Sequence, residues 1–227
     1  KKLYNKKYIS ILDKNTKKFW DEKLNSIVYL DSQDGMTKDR INQAIKYMPE
    51  GKIKLLDIGA GYGFFEEELT KYRNNIAIYG IDISSEAIKL LNRRFIGNFK
   101  TSLANKIPFE NTFFDVVVAL EVFEHIPPSN VFEVYQEIYK KLKTYGELII
   151  SVPTNEHLEK MKDNPNGHVR QYNIDLIKAE LEMNGFDIVS FSQFFAFSSF
   201  YTIKSLLTKI LPHLWEPNDL VILAKKR

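Results

Sequence analysis

"KLLDIGAGYGFFEEEL", residues 54–69, places Gly59, Gly61 and Gly63 at alternate positions between an apolar run and an acidic, helix-like segment. An apolar run, a turn with almost no side chain and a helical pattern read as strand, turn and helix. Three glycines let the backbone turn tightly and approach a ligand closely, and the helix that follows presents exposed N–H groups to it. Asp57, at the strand end, faces the same turn as an acceptor. In an open α/β sheet the first βα turn is the usual place for a ligand.

Outward from this turn the alternation continues. "IAIYGIDI" (76–83) is a second apolar run, and "SSEAIKLLNRRF" (84–95) a helix with Ser84 or Ser85 placed to cap it and Glu86 in its first turn. "FFDVVVALEV" (113–122) is β-branched and almost wholly apolar, as a strand buried on both faces requires. Val131, Val134, Ile138 and Leu142 recur at helical spacing, and "TYGELIISV" (144–152) is a strand after a glycine-containing turn. "NIDLIKAELEMNG" is a helix closed by Gly185, "FDIVSFSQFF" a strand, and "DLVILAKK" (219–226) the last strand. Strands alternating with helices give a doubly wound, Rossmann-like α/β sheet with helices on both faces. Residues before about 50 read as a polar helical segment with Ile41, Ala44, Ile45 and Met48 on one face. No repeat or low-complexity linker divides the chain, so 1–227 is read as a single domain with a hydrophobic insertion at 193–217.

Composition narrows the function. The 227 residues are 44% hydrophobic and 27% charged, with a net charge of +3 and no cysteine. Interspersed lysines and a small net charge argue against nucleic acid as a partner. Disulfides and thiolate metal sites are excluded. The basic N-terminus lacks the apolar core of a signal peptide, and no window approaches the ~20 apolar residues of a membrane span, so a cytoplasmic location is expected.

Asp82 follows Asp57 by 25 residues, a spacing that suits a carboxylate accepting from both hydroxyls of a ribose. A dinucleotide fingerprint would need a small residue where Phe64 stands, and a P-loop would need Gly-Lys-Ser/Thr. The pattern therefore points to a different nucleoside-containing cofactor.

With G-x-G-x-G, Asp57 and Asp82 in this context, the sequence resembles the class I S-adenosylmethionine-dependent methyltransferases. "LANKIPFENTFFDVVVALEVFEHI" (103–126), "GELIISVPT" and "GHVRQYN" are similar to further blocks of that family. The resemblance implies a seven-stranded sheet, mostly parallel, with an antiparallel last strand. It also implies that Gly59, Ala60 and Gly61 approach the methionine part of S-adenosylmethionine, with Asp57 holding the turn. Asp82 would bind the ribose, Ile83 would pack on the adenine, Leu103 and Ala104 would border it, and Glu121 would line the methionine end. An Asp often stands in that family where Leu103 is here, so backbone groups would have to serve the adenine amino group. The product would be S-adenosylhomocysteine.

Methyl transfer is an in-line displacement, and a hydroxyl acceptor benefits from a base. His125 and His168 both fall at the ligand-binding edge and are the candidate catalytic residues; His157 and His213 match no motif. The set Glu121, Glu124, His125 and His168 also resembles the divalent-metal ligands of small-RNA 2′-O-methyltransferases. Because E-x-x-E-H recurs in methyltransferases of this class that use no metal, no metal ligand is assigned from sequence. The Asn/Asp-Pro-Pro-Tyr block of adenine- and glutamine-directed N-methyltransferases is absent at "ALEVFEHIPP".

The expected activity is O-methylation of a small molecule, sugar or lipid-linked intermediate. The alternatives are a metal-assisted RNA 2′-O-methyltransferase and a non-catalytic cofactor-binding subunit. The stretch 194–215 could cover an acceptor, form a homodimer surface, lie on a membrane as a peripheral contact, or simply pack on the core. Trp20, Tyr29 and Arg40 could close over the cofactor.

Overall fold

The computed structural model describes residues 13–25, 35–156, 158, 164–197, 199–211 and 214–227. Seven strands form one sheet: β1 (Ile53–Ile58), β2 (Ile76–Asp82), β3 (Asn98–Thr101), β4 (Phe114–Leu120), β5 (Leu142–Pro153), β6 (Phe186–Phe194) and β7 (Asp219–Lys226). Their order is β3-β2-β1-β4-β5-β7-β6. The first five pair in parallel, whereas β7 runs antiparallel to both its neighbours, β5 and β6. The expected doubly wound architecture and antiparallel last strand are therefore observed.

The described helices are α1 (Lys17–Asn25), α2 (Gly35–Tyr47), α3 (Phe64–Tyr72), α4 (Ser85–Arg94), α5 (Val131–Lys141), α6 (Ile174–Met183) and α7 (Tyr201–Ile210), with a short 3₁₀ turn at Phe123–His125. Alternating side chains of β1 and β4 feed two cores. Leu55, Val116 and Val118 pack with Ile41 and Ala44 of α2, Phe65 and Leu69 of α3, and Ile88 and Leu91 of α4. Leu56, Ile58, Val117 and Ala119 pack with Val134 and Ile138 of α5 and Ile177 and Leu181 of α6. Burial on both faces explains the continuous apolar runs of these strands.

Local chemistry sets the element ends. Ser84, rather than Ser85, caps α4 by accepting from Ala87 N, and Asn173 caps α6 by accepting from Leu176 N. Gly185, in the left-handed region at φ 88°, follows α6 as expected. One boundary differs from the sequence reading. Leu142 ends the helical periodicity but is already extended, and it pairs with Phe114 as the first residue of β5. It keeps its place in the core because its side chain is fully buried in either role. The glycine turn expected before "GELIISV" is instead an irregularity within β5, where the register slips between Phe114 and Val116 and Tyr145 has φ 59°.

The 193–217 insertion contributes α7, which touches α2 through Tyr201, whose hydroxyl donates to Asp39 at 2.7 Å. Ile203, Leu206, Leu207 and Ile210 remain exposed. No described helix is long and apolar enough to cross a membrane.

Candidate active site

The C-terminal ends of β1, β2, β4 and β5 and the start of the antiparallel β7 meet at one edge of the sheet. Gly59, Gly61 and Gly63 all have φ in the left-handed region, at 74°, 53° and 78°. Gly59 N and Ala60 N donate to Ile81 O, which ties the turn to β2. A Cβ on Gly59 would lie 2.6 Å from Val122, and one on Gly63 2.5 Å from Phe95. These two glycines are needed for packing. Gly61 differs: the nearest atom to its missing Cβ is 3.8 Å away, so the turn opens there onto free space that a ligand can enter.

Asp82 connects this turn to the next helix. Its Oδ2 accepts from Gly61 N at 2.9 Å and its Oδ1 from Ser84 N at 2.7 Å. Each oxygen retains acceptor capacity for a hydroxyl. Burial raises the Asp82 carboxyl above its ordinary range, opposed by these two backbone donors.

Asp57 lies beneath the turn, and burial, reinforced by Glu66 and Asp82, holds its carboxyl well above the usual range. Glu66 of α3 is completely buried beside it, pushed up by burial to about 7. Among the described residues only its own backbone N–H and the Asp57 carboxyl act on the Glu66 oxygens by hydrogen bonding. Each carboxyl's charge disfavours the other's, so protonation of one eases the charge on its neighbour. Sequence reading passed over Glu66 as part of an acidic helix. Its position three residues before Leu69, on the same helical face, is the signal that was there to be used.

At the end of β4, Glu121 adopts φ 57°, uncommon for a residue with a side chain. Ser151 Oγ donates to Glu121 Oε1 at 2.8 Å, and Arg40 of α2 lies 3.1 Å from Oε2. Arg40 also reaches Asp219 at the start of β7, at 2.5 Å. Burial disfavours the Arg40 charge, but Glu121 and Asp219 outweigh it and hold the guanidinium ionised. Arg40 thus braces Glu121 at the expected site edge.

The other groups at this edge form a separate cluster. Ligand-capable atoms of Glu124, His125 and His168 all lie within 4.8 Å of one another. The two imidazole rings stand edge to face at 4.8 Å. His125 Nδ1 is 3.3 Å from Gly167 O, and His168 Nδ1 is 2.8 Å from both oxygens of Glu156. Burial, with His168 adding, depresses His125 to about 3, so the ring is neutral. Glu124 is fully buried, and burial with the nearby Glu121 raises its carboxyl well above the usual range. Val169 N and Arg170 N both donate to Glu124 O, fastening "GHVR" to the 3₁₀ turn. The sequence-predicted histidines are therefore adjacent, whereas Glu121 stands apart from them. His157 and His213 lie outside the described residues.

Helix α1 crosses this edge. Ser84 Oγ donates to Asp21 at 2.5 Å, and Lys17 reaches Ser85 Oγ at 2.7 Å. At the other side Asn15 Nδ2 donates to Gly167 O at 2.8 Å, and the Trp20 ring stands 4.8 Å from that of His125. Tyr62 donates to Leu24 O between them. Trp20 and Arg40 thus both border the site, and Tyr29 lies outside the described residues. Ile83 is half-buried beside Asp82, Ala104 packs against the core, and Leu103 is exposed at the outer rim.

A family model described as "Methyltransferase domain" matches residues 12–191. The chain belongs to this methyltransferase family. An uncharacterized protein of Methanocaldococcus jannaschii is 30% identical over 77% of this methyltransferase and 73% of its own length. Phosphoethanolamine N-methyltransferase of Plasmodium falciparum is 30% identical over 56% of this chain, but the match spans only 49% of that enzyme. Among solved structures, N-methyltransferase NodS from Bradyrhizobium japonicum, in complex with S-adenosylhomocysteine, superposes with a TM-score of 0.70 at 16% identity. It covers 93% of this chain and 98% of its own, and at that identity it shows a common fold.

This methyltransferase is S-adenosylmethionine-dependent, and its own residues fit that cofactor. Gly61 leaves open space at the turn, and Asp82 keeps acceptor capacity for a ribose.

Proposed function

We propose that the chain methylates a hydroxyl of a small molecule, sugar or lipid-linked intermediate. The observation that carries this reading is the imidazole pair His125 and His168, both Nδ1 atoms held by acceptors and both rings beyond the ends of β4 and β5. An acceptor that can only receive a hydrogen bond fixes the proton on Nδ1 and leaves the Nε2 lone pair for a substrate proton. His168, oriented by Glu156, is the base by this reasoning, with His125 as its neighbour at the acceptor oxygen.

In this reading S-adenosylmethionine supplies an electrophilic methyl group. Asp82 and Ile83 hold the ribose and adenine, and Leu103 and Ala104 border the base. Asp57, Gly59, Ala60 and Gly61 hold the methionine end, with Glu121 lining it in the position set by Arg40 and Ser151. Trp20 on α1 keeps water from the imidazoles. Positioning of this kind accounts for most of the acceleration available to an in-line displacement.

The test is release of S-adenosylhomocysteine over many turnovers with a panel of hydroxylated acceptors, and matched amines as controls. Turnover on a hydroxyl acceptor, reduced roughly 10²–10⁴-fold in His168→Ala with cofactor affinity intact, is the expected result. Turnover only on amines, or none on either series, would contradict the proposal. The latter outcome would favour a cofactor-binding subunit.

A further inference from the structure

Glu124, His125 and His168 present an arrangement that a base alone does not require. Glu124 has no exposed surface, and among the described residues no other group hydrogen-bonds to either of its oxygens; only its own backbone N–H acts on the carboxyl. Its nearest polar neighbour at the cluster is His125 Nε2, 3.6 Å from Oε1 and beyond hydrogen-bond length. Because Gly167 O can only accept, His125 carries its proton on Nδ1 and turns an Nε2 lone pair toward Glu124. His168 Nδ1 is taken in the same way by the Glu156 carboxylate, leaving Nε2 as its available ligand atom. The Glu124 carboxyl and two imidazole lone pairs thus converge, with the Lys23 ammonium acting on Glu124 and His125 by charge alone; a cation entering among them would take the place of the carboxyl proton.

We infer that Glu124, His125 and His168 form a binding site for one divalent transition-metal ion of the zinc class. Two nitrogens and one oxygen suit zinc, cobalt, manganese or ferrous iron better than magnesium or calcium, which favour all-oxygen sets. Three protein ligands leave a coordination position open, the arrangement of reactive rather than structural zinc sites. The outer contacts have the form that orients metal-bound histidines, an Nδ1–H donated to a backbone carbonyl in one case and to a carboxylate in the other. Bonds of about 2.0–2.1 Å bring ligand atoms to roughly 3.3 Å apart around a tetrahedral centre. The three side chains therefore need to close by on the order of 1 Å when the ion enters. Glu121 is not one of the grouped ligand atoms; its oxygens are engaged by Ser151 and Arg40 instead.

The role of the ion rests on the hydroxyl-methylation reading; its binding does not. At the open position an acceptor hydroxyl binds and acidifies, and its proton passes to water. The O–CH₃ bond then forms as the S–CH₃ bond of the sulfonium breaks, giving an ether and the neutral thioether. With the ion bound, His125 and His168 are ligands and the ion replaces His168 as the group that activates the hydroxyl; the base role given to His168 above belongs to the ion-free site alone.

The experiment uses the whole chain, stripped with a chelator and titrated with zinc in competition with a chromogenic chelator, and with cobalt by visible absorption. The expected result is one equivalent per chain, with cobalt bands of a four- or five-coordinate site. Glu156→Gln should weaken zinc binding by roughly 10–100-fold, and Glu124→Gln and His168→Gln by more. S-adenosylhomocysteine binding, measured in each variant, reports that the fold is intact. No stoichiometric ion, or one retained at unchanged affinity in both ligand variants (an adventitious ion only), would overturn the site. A preference for magnesium would overturn the assigned ion class. Turnover measured with and without chelator separates the two claims. Ion binding without hydroxyl turnover defeats the O-methylation reading alone, and hydroxyl turnover by an enzyme that binds no ion defeats the metal site alone.

Discussion

At the residue scale, Glu66 is the side chain whose burial has the clearest thermodynamic consequence. Its carboxyl ionises near 4.5 in the ordinary case and near 7 here, chiefly through burial. The folded state therefore holds a proton between those pH values that the unfolded state releases. The stability associated with neutral Glu66 is complete below about pH 4.5, falls as pH rises towards 7, and is lost above it. The amount is on the order of 3 kcal/mol. Glu66→Gln should remove this component, so the variant should gain stability over the parent at pH 8 and little at pH 4.5. Urea denaturation across that range measures it; parallel stability curves for the two proteins would contradict the assignment. Asp82→Ala should weaken S-adenosylhomocysteine binding by about 1.5–3 kcal/mol, the scale of hydrogen bonds involving a charged group. Unchanged affinity in calorimetry would remove Asp82 from the ribose. Asp82 was legible because its spacing from Asp57 is a sequence property. Glu66 and Glu124 were harder to place because acidic residues in a helix start usually face water, and only the packed sheet shows these two buried.

At the scale of elements, the glycine turn and α1 behave differently. Gly63 combines φ 78° with Phe95 and Leu91 standing where a Cβ would go. Gly63→Ala should cost about 1–3 kcal/mol of stability from strain, with overlap adding to it. An unaltered Tm would show that the turn relaxes freely. Helix α1 is held by polar contacts to Ser84 and Ser85, and Asn15 just before it donates to Gly167 O. Lys17 and Ser84 hold the Asp21 carboxyl down at about 2, so this anchor is charged throughout the neutral range. Asp21→Ala should raise amide exchange across 17–25 and speed S-adenosylhomocysteine dissociation several-fold, with overall stability little changed. Exchange unaltered in that segment would contradict the anchoring role. The strands and α3 to α6 were legible because their patterns are local. The docking of α1 was not, because its partners lie about 60 and 150 residues away and no periodicity reports them. The start of β5 was misjudged for a related reason: Leu142 is apolar in register with α5, and only its pairing with Phe114 shows that the helix has ended.

At the scale of the whole molecule, one sheet edge gathers the glycine turn, Asp82, the Arg40–Glu121–Asp219 ion pairs and the imidazole cluster, with α1 across them. The strand order brings together groups separated by up to two hundred residues, and the antiparallel β7 returns Asp219 to the same edge as the ends of β4 and β5. On the proposed reading, that convergence joins cofactor binding and acceptor activation in one site. The most direct measurement is calorimetric titration of the whole chain with S-adenosylhomocysteine, with NAD as the control. One equivalent of the thioether bound, with no response to NAD, is the predicted result. Binding of NAD, or of neither ligand, would contradict the account of the glycine turn and everything built upon it.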